Sequence, residues 1–178
     1  MQSLKIKMTG KLFLAILLLF VAFSAFTFAG DWKVKQPYEI KFSGGKVHGK
    51  MKSLHADIHF DKNDLKSSKM TATVDARSLD AGFFIKTNHA KDAIDADNYP
   101  NITFTSAEIK KVAAGYEAVG KLTLKGVTRP MTIHFTFEDK GNEGVFKGTF
   151  TVVTKEFNIT RWGSPDELTI SLLVPVSQ

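Results

Sequence analysis

From Trp32 to the C-terminus the chain alternates between apolar and polar residues. Trp32, Val34, Tyr38, Ile40 and Phe42 share one phase, and Lys33, Lys35, Glu39 and Lys41 take the other. Successive side chains on a strand point to opposite faces, so this period predicts strands with one apolar face. Pro37 cannot donate a ladder hydrogen bond, which marks the start of the run as an edge or lead-in. Gly44-Gly45 reads as a turn. Val47, Gly49 and Met51 then oppose His48, Lys50 and Lys52. After a kink near Ser53–Leu54, Ala56, Ile58 and Phe60 oppose His55, Asp57 and His59. Asp61-Lys62-Asn63-Asp64 turns the chain into Met70, Ala72, Val74 and Ala76, which oppose Thr71, Thr73, Asp75 and Arg77.

Ser78 to Asn98 breaks the alternation. It holds Gly82, the apolar trio Phe83-Phe84-Ile85 and an Ala-bearing stretch that predicts a helix of about two turns, with Thr87 or Asn88 as its N-cap. Pro100 pushes Tyr99 out of the helical region, so that helix has to stop and a strand can begin at once. Ile102 and Phe104 then oppose Thr103 and Thr105. Tyr116, Ala118, Leu122 and Leu124 follow in phase, then Met131, Ile133, Phe135 and Phe137, then Phe146, Phe150 and Val152. A longer connection runs from Glu156 to Glu167, and Leu168, Ile170, Leu172, Val174 and Val176 end the series.

These runs amount to about eight one-sided strands joined mostly by short turns, an all-β pattern suited to an antiparallel meander. Eight such strands can close into an up-and-down barrel, with the helical or irregular segment before the fifth strand region. A two-sheet sandwich is the rival, and the lack of long crossover connections favours the barrel. A barrel of this size either fills with side chains or holds one ligand.

The first 29 residues read differently. Lys5, Lys7 and Lys11 precede an apolar run from Leu12 to Phe26, and Thr27 and Ala29 are small residues suited to peptidase recognition. This is the pattern of a cleaved secretory signal peptide, cut after Ala29. The apolar run falls short of the roughly 20 residues a spanning helix needs. Residues 30–178 are then the single domain, and loss of the three lysines takes the formal net charge from +6 to +3. That mild, mixed charge is not a nucleic-acid footprint. There is no Cys, so neither disulfides nor a lipidated Cys take part.

The apolar phase is rich in aromatics: Tyr38, Phe42, Phe60, Phe104 and Tyr116, then Phe135, Phe137, Phe146 and Phe150. Small residues share it, including Gly49, Ala56, Ala72, Ala76, Ala118, Gly120 and Gly148. Large residues facing small ones either pack a plain core or leave an apolar channel, and periodicity leaves both open. His55 and His59 share a strand face but stand about 13 Å apart at 3.3 Å per residue, too far to bind one ion. His89, Lys91, Asp92, Asp95 and Asp97 cluster in the irregular segment, without a Cys or a Ser in a nucleophile elbow. A polar surface is the expectation for them, with His89 at a barrel mouth. Asn101-Ile102-Thr103 and Asn158-Ile159-Thr160 match the glycosylation pattern and read as strand-side polar positions.

Tyr99-Pro100, Phe104-Thr105-Ser106, the run Gly120 to Pro130 and Phe157-Asn158-Ile159 form a specific combination. It resembles the YceI-like, polyisoprenoid-binding family of bacterial secreted proteins, and the likeness extends from Trp32 to Val176. In that family an Arg-Asp-x-His-Leu run precedes the Tyr-Pro; here His89 matches its His, while Lys86, Thr87 and Ala90 depart from it. The resemblance implies a lipocalin-like eight-stranded barrel whose apolar interior holds an isoprenoid chain or another long amphiphile, quinones included. It implies no enzyme activity, no cofactor beyond that ligand, and a periplasmic location.

The residues expected to hold the ligand are Tyr38, Phe42, Phe60 and Val74, then Ile102, Phe104 and Leu122, then Phe135, Phe137 and Phe150. Phe84 and His89 are added from the segment at the mouth. The expected partner is a long-chain lipid, with transient contact at a membrane surface and a homodimer left open. The alternative is a ligand-free barrel acting through its surface, in partner binding or stress response.

Overall fold

The computed structural model describes residues 30–178. The expected signal peptide, at positions 1–29, lies outside the described residues. The chain forms a closed antiparallel barrel of eight staves. The first stave is interrupted: β1 (Asp31–Val34) and β2 (Glu39–Gly44) flank Pro37, and both pair with the last strand, with Lys33 opposite Ser177 and Phe42 opposite Ile170. The second stave is bent, with β3 (Val47–Met51) running into β4 (His55–His59). At the bend the amides of Lys52 and Ser53 both donate to Ser78 Oγ at 3.2 Å. The kink therefore leaves neither donor without a partner.

β5 (Lys69–Asp75) is the third stave, and the two-residue β6 (Leu79–Asp80) pairs with β3. After helix α1 (Phe84–Ala93) come β7 (Asn101–Val112), β8 (Gly115–Leu124), β9 (Val127–Asp139), β10 (Glu143–Val153) and β11 (Glu167–Ser177). Staves adjacent in sequence are adjacent in space, and β1 on β11 closes the ring. Closure removes the sheet edges that a sandwich would leave open.

Three local expectations change. Helix α1 starts ahead of its expected caps, with Phe83 at the N-cap and no side chain bonding there. Thr87 lies within the helix, and its hydroxyl accepts the Ala81 N–H at 3.0 Å. β7 continues well past Phe104 through a bulge between Ser106 and Glu108, which moves the inward phase from Phe104 to Ile109. Gly120 faces that bulge: a Cβ there would run into the Thr105 carbonyl, so the residue serves close backbone contact. Asn158 is not a strand position. At φ +56° it caps a short 3-10 turn, Thr154–Phe157, which buries Phe157 completely.

Candidate ligand-binding cavity

The two ends of the barrel are built differently. At the end carrying the β9–β10 turn, Phe60 stands at the centre of an aromatic plug. Its ring meets Tyr116, Phe135, Phe137 and Phe146 edge-on, with centroids 5.1 to 5.6 Å apart. Trp32 packs on Phe137 at 4.9 Å and donates its indole N–H to the Phe60 carbonyl at 2.9 Å. Edge-to-face geometry sets the positive ring edge against the negative face. Gly144 makes room for the plug, since a Cβ there would strike the Phe137 ring.

Above the plug the interior is open. A cavity of about 620 Å³ runs to the other end of the barrel, within the range of small-molecule sites. Strand register fixes its wall. One belt crosses four staves as Ala56, Ala72, Phe104 and Leu122, each paired with the next. The facing belt runs Gly49, Phe42, Ile170 and Phe150. The alanines on one side leave the space that larger residues would fill, whereas Gly49 gives its place to the Phe42 ring and the Asp80 carbonyl. Ala118 and Gly148 also line the cavity. The Thr154 hydroxyl, at the wall, is spent on the Pro165 carbonyl at 2.6 Å.

Three segments frame the mouth. The β2–β3 hairpin brings Lys46 from its turn and His48 from the start of β3, helix α1 brings Lys86, His89 and Ala90, and the β10–β11 connection brings Arg161 and Trp162. No Asp or Glu is among the described lining residues. The segments are tied together. Arg161 Nη1 lies 3.1 Å from Asp92 Oδ2 on α1. Lys125 Nζ donates to the carbonyls of Ala93 at 3.0 Å and Asn158 at 2.9 Å, joining the helix C-terminus to the β8–β9 turn and the β10–β11 connection. A cation at that helix end also suits its dipole. Tyr99 lies against the same turn, at Gly126, where φ is +72° and a Cβ would come 2.5 Å from the ring. Lys52, 2.8 Å from Asp80, donates to its carboxylate and with the Gly82 N–H holds it below the usual aspartate range.

Eight of the twelve expected ligand residues line the cavity: Phe42, Val74, His89 and Ile102, then Phe104, Leu122, Phe135 and Phe150. Phe60 and Phe137 belong to the plug, where Phe60 is 2% exposed. Tyr38 lies off the wall, its hydroxyl donating to the Lys52 carbonyl at 3.0 Å. Phe84 is 78% exposed beside the mouth. The wall residues of β11 and the alanines were readable from phase alone; Lys46, Arg161 and Trp162 carry no phase signal, because turns place them. Outside the barrel, His59 Nδ1 pairs with Asp31 at 2.6 Å. Asp95, at φ +52°, accepts from Asn98 at 2.8 Å and so supports the turn after the helix.

A closed antiparallel barrel with one plugged end and one open apolar end is a lipocalin-like binding scaffold. The chain belongs to the YceI-like family, whose model matches residues 24–177. A UPF0312 protein of Yersinia enterocolitica is 30% identical over 138 residues, covering 73% of this chain and 72% of that protein. A UPF0312 protein of Yersinia pestis is 28% identical over 175 residues, 89% of this chain and 90% of that one. Among solved structures, BcnA of Burkholderia cenocepacia superposes with a TM-score of 0.75 at 26% identity, over 82% of this chain and all of that one. A polyisoprenoid binding domain from Saccharophagus degradans, implicated in plant cell wall breakdown, has a TM-score of 0.61 at 9% identity, over 83% of this chain and 98% of that one. This last likeness is one of fold.

Proposed function

We propose that this protein binds and carries a long-chain lipid, an isoprenoid or a similar amphiphile with quinones included, on the periplasmic side of the cell. The observation that carries this is the cavity of about 620 Å³ with an apolar wall and a mouth framed by three segments. Each methylene moved from water into such a wall gains about 0.8 kcal/mol, so a tail needs no polar partner along its length. The head of the amphiphile stays at the mouth, beside Lys46, Lys86 and His89. The likeness in fold to a polyisoprenoid binding domain supports the same assignment. The activity is binding, not catalysis: the wall is built to exclude water. Organic extraction of the purified protein followed by mass spectrometry tests it. A long-chain lipid at near-stoichiometric amount is expected, and protein that neither carries nor takes up such a lipid overturns the proposal.

A further inference from the structure

Among the described residues, the large hydrophobic side chains left exposed are Phe83, Phe84, Ile85, Tyr99 and Trp162, and all stand on the segments at the open end of the barrel. Trp162 is 98% exposed, although it lines the mouth. Phe83 and Phe84, at 73% and 78%, precede the mouth residue Lys86, whose ammonium lies 5.5 Å from the Phe83 ring centre. A soluble surface has no reason to gather its aromatics at one place. Charge is sorted the same way. Lys46, Lys86 and Arg161 line the opening, and no acid is among the described lining residues. Asp92, the acid beside the mouth on α1, is already held by Arg161.

From this we infer that the open end is a membrane-docking surface, which seats on a bilayer containing anionic lipids. Exposed Trp and Phe beside lysines are the residues that settle at the bilayer interface, aromatic body in the acyl boundary and cation among the headgroups. The inference rests partly on the lipid-binding reading, because docking at this end sets the cavity mouth against the lipid source. A tail can then enter the barrel with little crossing of water. The aromatic plug closes the far end, so entry and exit share this one face.

Co-sedimentation of the purified protein with phosphatidylcholine vesicles, with and without phosphatidylglycerol, tests it. Binding to the phosphatidylglycerol vesicles is expected, with a blue shift in tryptophan emission that the Trp162→Phe variant loses. The Phe83→Ser/Phe84→Ser/Trp162→Ser triple variant should bind about tenfold more weakly or less. Lys46→Gln and Lys86→Gln should each cost about fivefold on anionic vesicles and little on neutral ones. All five positions are exposed, so the variants should unfold at the wild-type temperature. Wild-type protein that ignores anionic vesicles, a triple variant that binds as well as wild type, or binding that appears only with a protein receptor embedded in the vesicles overturns the docking surface. Extraction of lipid from the same samples is a separate readout: lipid carried without vesicle binding sinks docking alone, and vesicle binding through this rim supports docking even if no lipid is carried.

Discussion

At the scale of single residues, alternation told which side chains point inward but not how far along the barrel axis they sit. Phe60, Phe104, Phe135 and Phe137 share one phase, yet Phe60 and Phe137 build the plug while Phe104 lies on the open wall. Height depends on register between strands distant in sequence, and a period of two carries no such information. The distinction has consequences. Phe60→Ala removes the ring on which four other aromatics converge, and should cost about 3–5 kcal/mol in urea unfolding. Bound lipid should survive that change as long as the protein is folded. Ala72→Trp should do the reverse. Ala72 is half-buried between Ala56 and Phe104 on the cavity wall, with open space before it. A bulky ring there fills the cavity, and extraction should recover little or no lipid from a protein that still unfolds cooperatively.

At the scale of elements, the strands were legible because each is long, one-sided and bounded by turn residues. The irregular segment from Ser78 to Asn98 was not, since its structure depends on partners elsewhere. Thr87 looked like a helix cap, but its hydroxyl is drawn to the Ala81 amide. Helix α1 fully buries none of its own residues; Lys125 and Arg161 help hold it at the mouth, together with the half-buried Ala90 and Ala93 that pack against the core. Lys125→Met should therefore raise amide exchange across α1 several-fold while leaving that of β10 and β11 unchanged. At the plugged end, Lys62 Nζ lies 2.7 Å from Asp139 Oδ2 and ties the β4–β5 loop to the β9–β10 turn. The hydrogen bond from Lys62, then the Gly141 N–H, hold the Asp139 carboxyl below its ordinary value of 3.8. A depressed acid stabilises the fold above its unfolded pKa, and that contribution fades as pH falls through the folded one. The same pair raises Lys62 above 10.5, so its share persists through neutral pH and is lost only as pH rises past that value. The melting temperature should be flat near neutrality and fall below pH 3.8, and Asp139→Asn should make the acid limb shallower.

For the whole molecule, the family motifs and the cavity meet at one place. Tyr99-Pro100 lies 26 residues before Gly126, yet the Tyr99 ring rests on that glycine, which joins the two most specific runs of the sequence at the open end. The motifs are legible in sequence because each is also a local backbone requirement: an extended lead-in to β7 at Pro100 and a left-handed turn at Gly126. What the motifs do not encode is whether the barrel is filled or hollow, which is set by the sum of wall volumes. A hollow apolar barrel forgoes the packing contacts its wall would otherwise make, and a bound tail restores them. Ligand binding to the folded state alone adds stability by mass action, about 2.7 kcal/mol at a hundred times the dissociation constant. Protein stripped of lipid under mild conditions should thus melt several degrees lower than protein as purified, and adding back a solubilised polyprenol should restore the difference in a dose-dependent way. In the Ala72→Trp protein the same polyprenol should leave the melting temperature unmoved, because the space it would enter is already occupied. Identical melting of stripped and loaded wild-type protein would mean that the cavity takes no part in holding the tail.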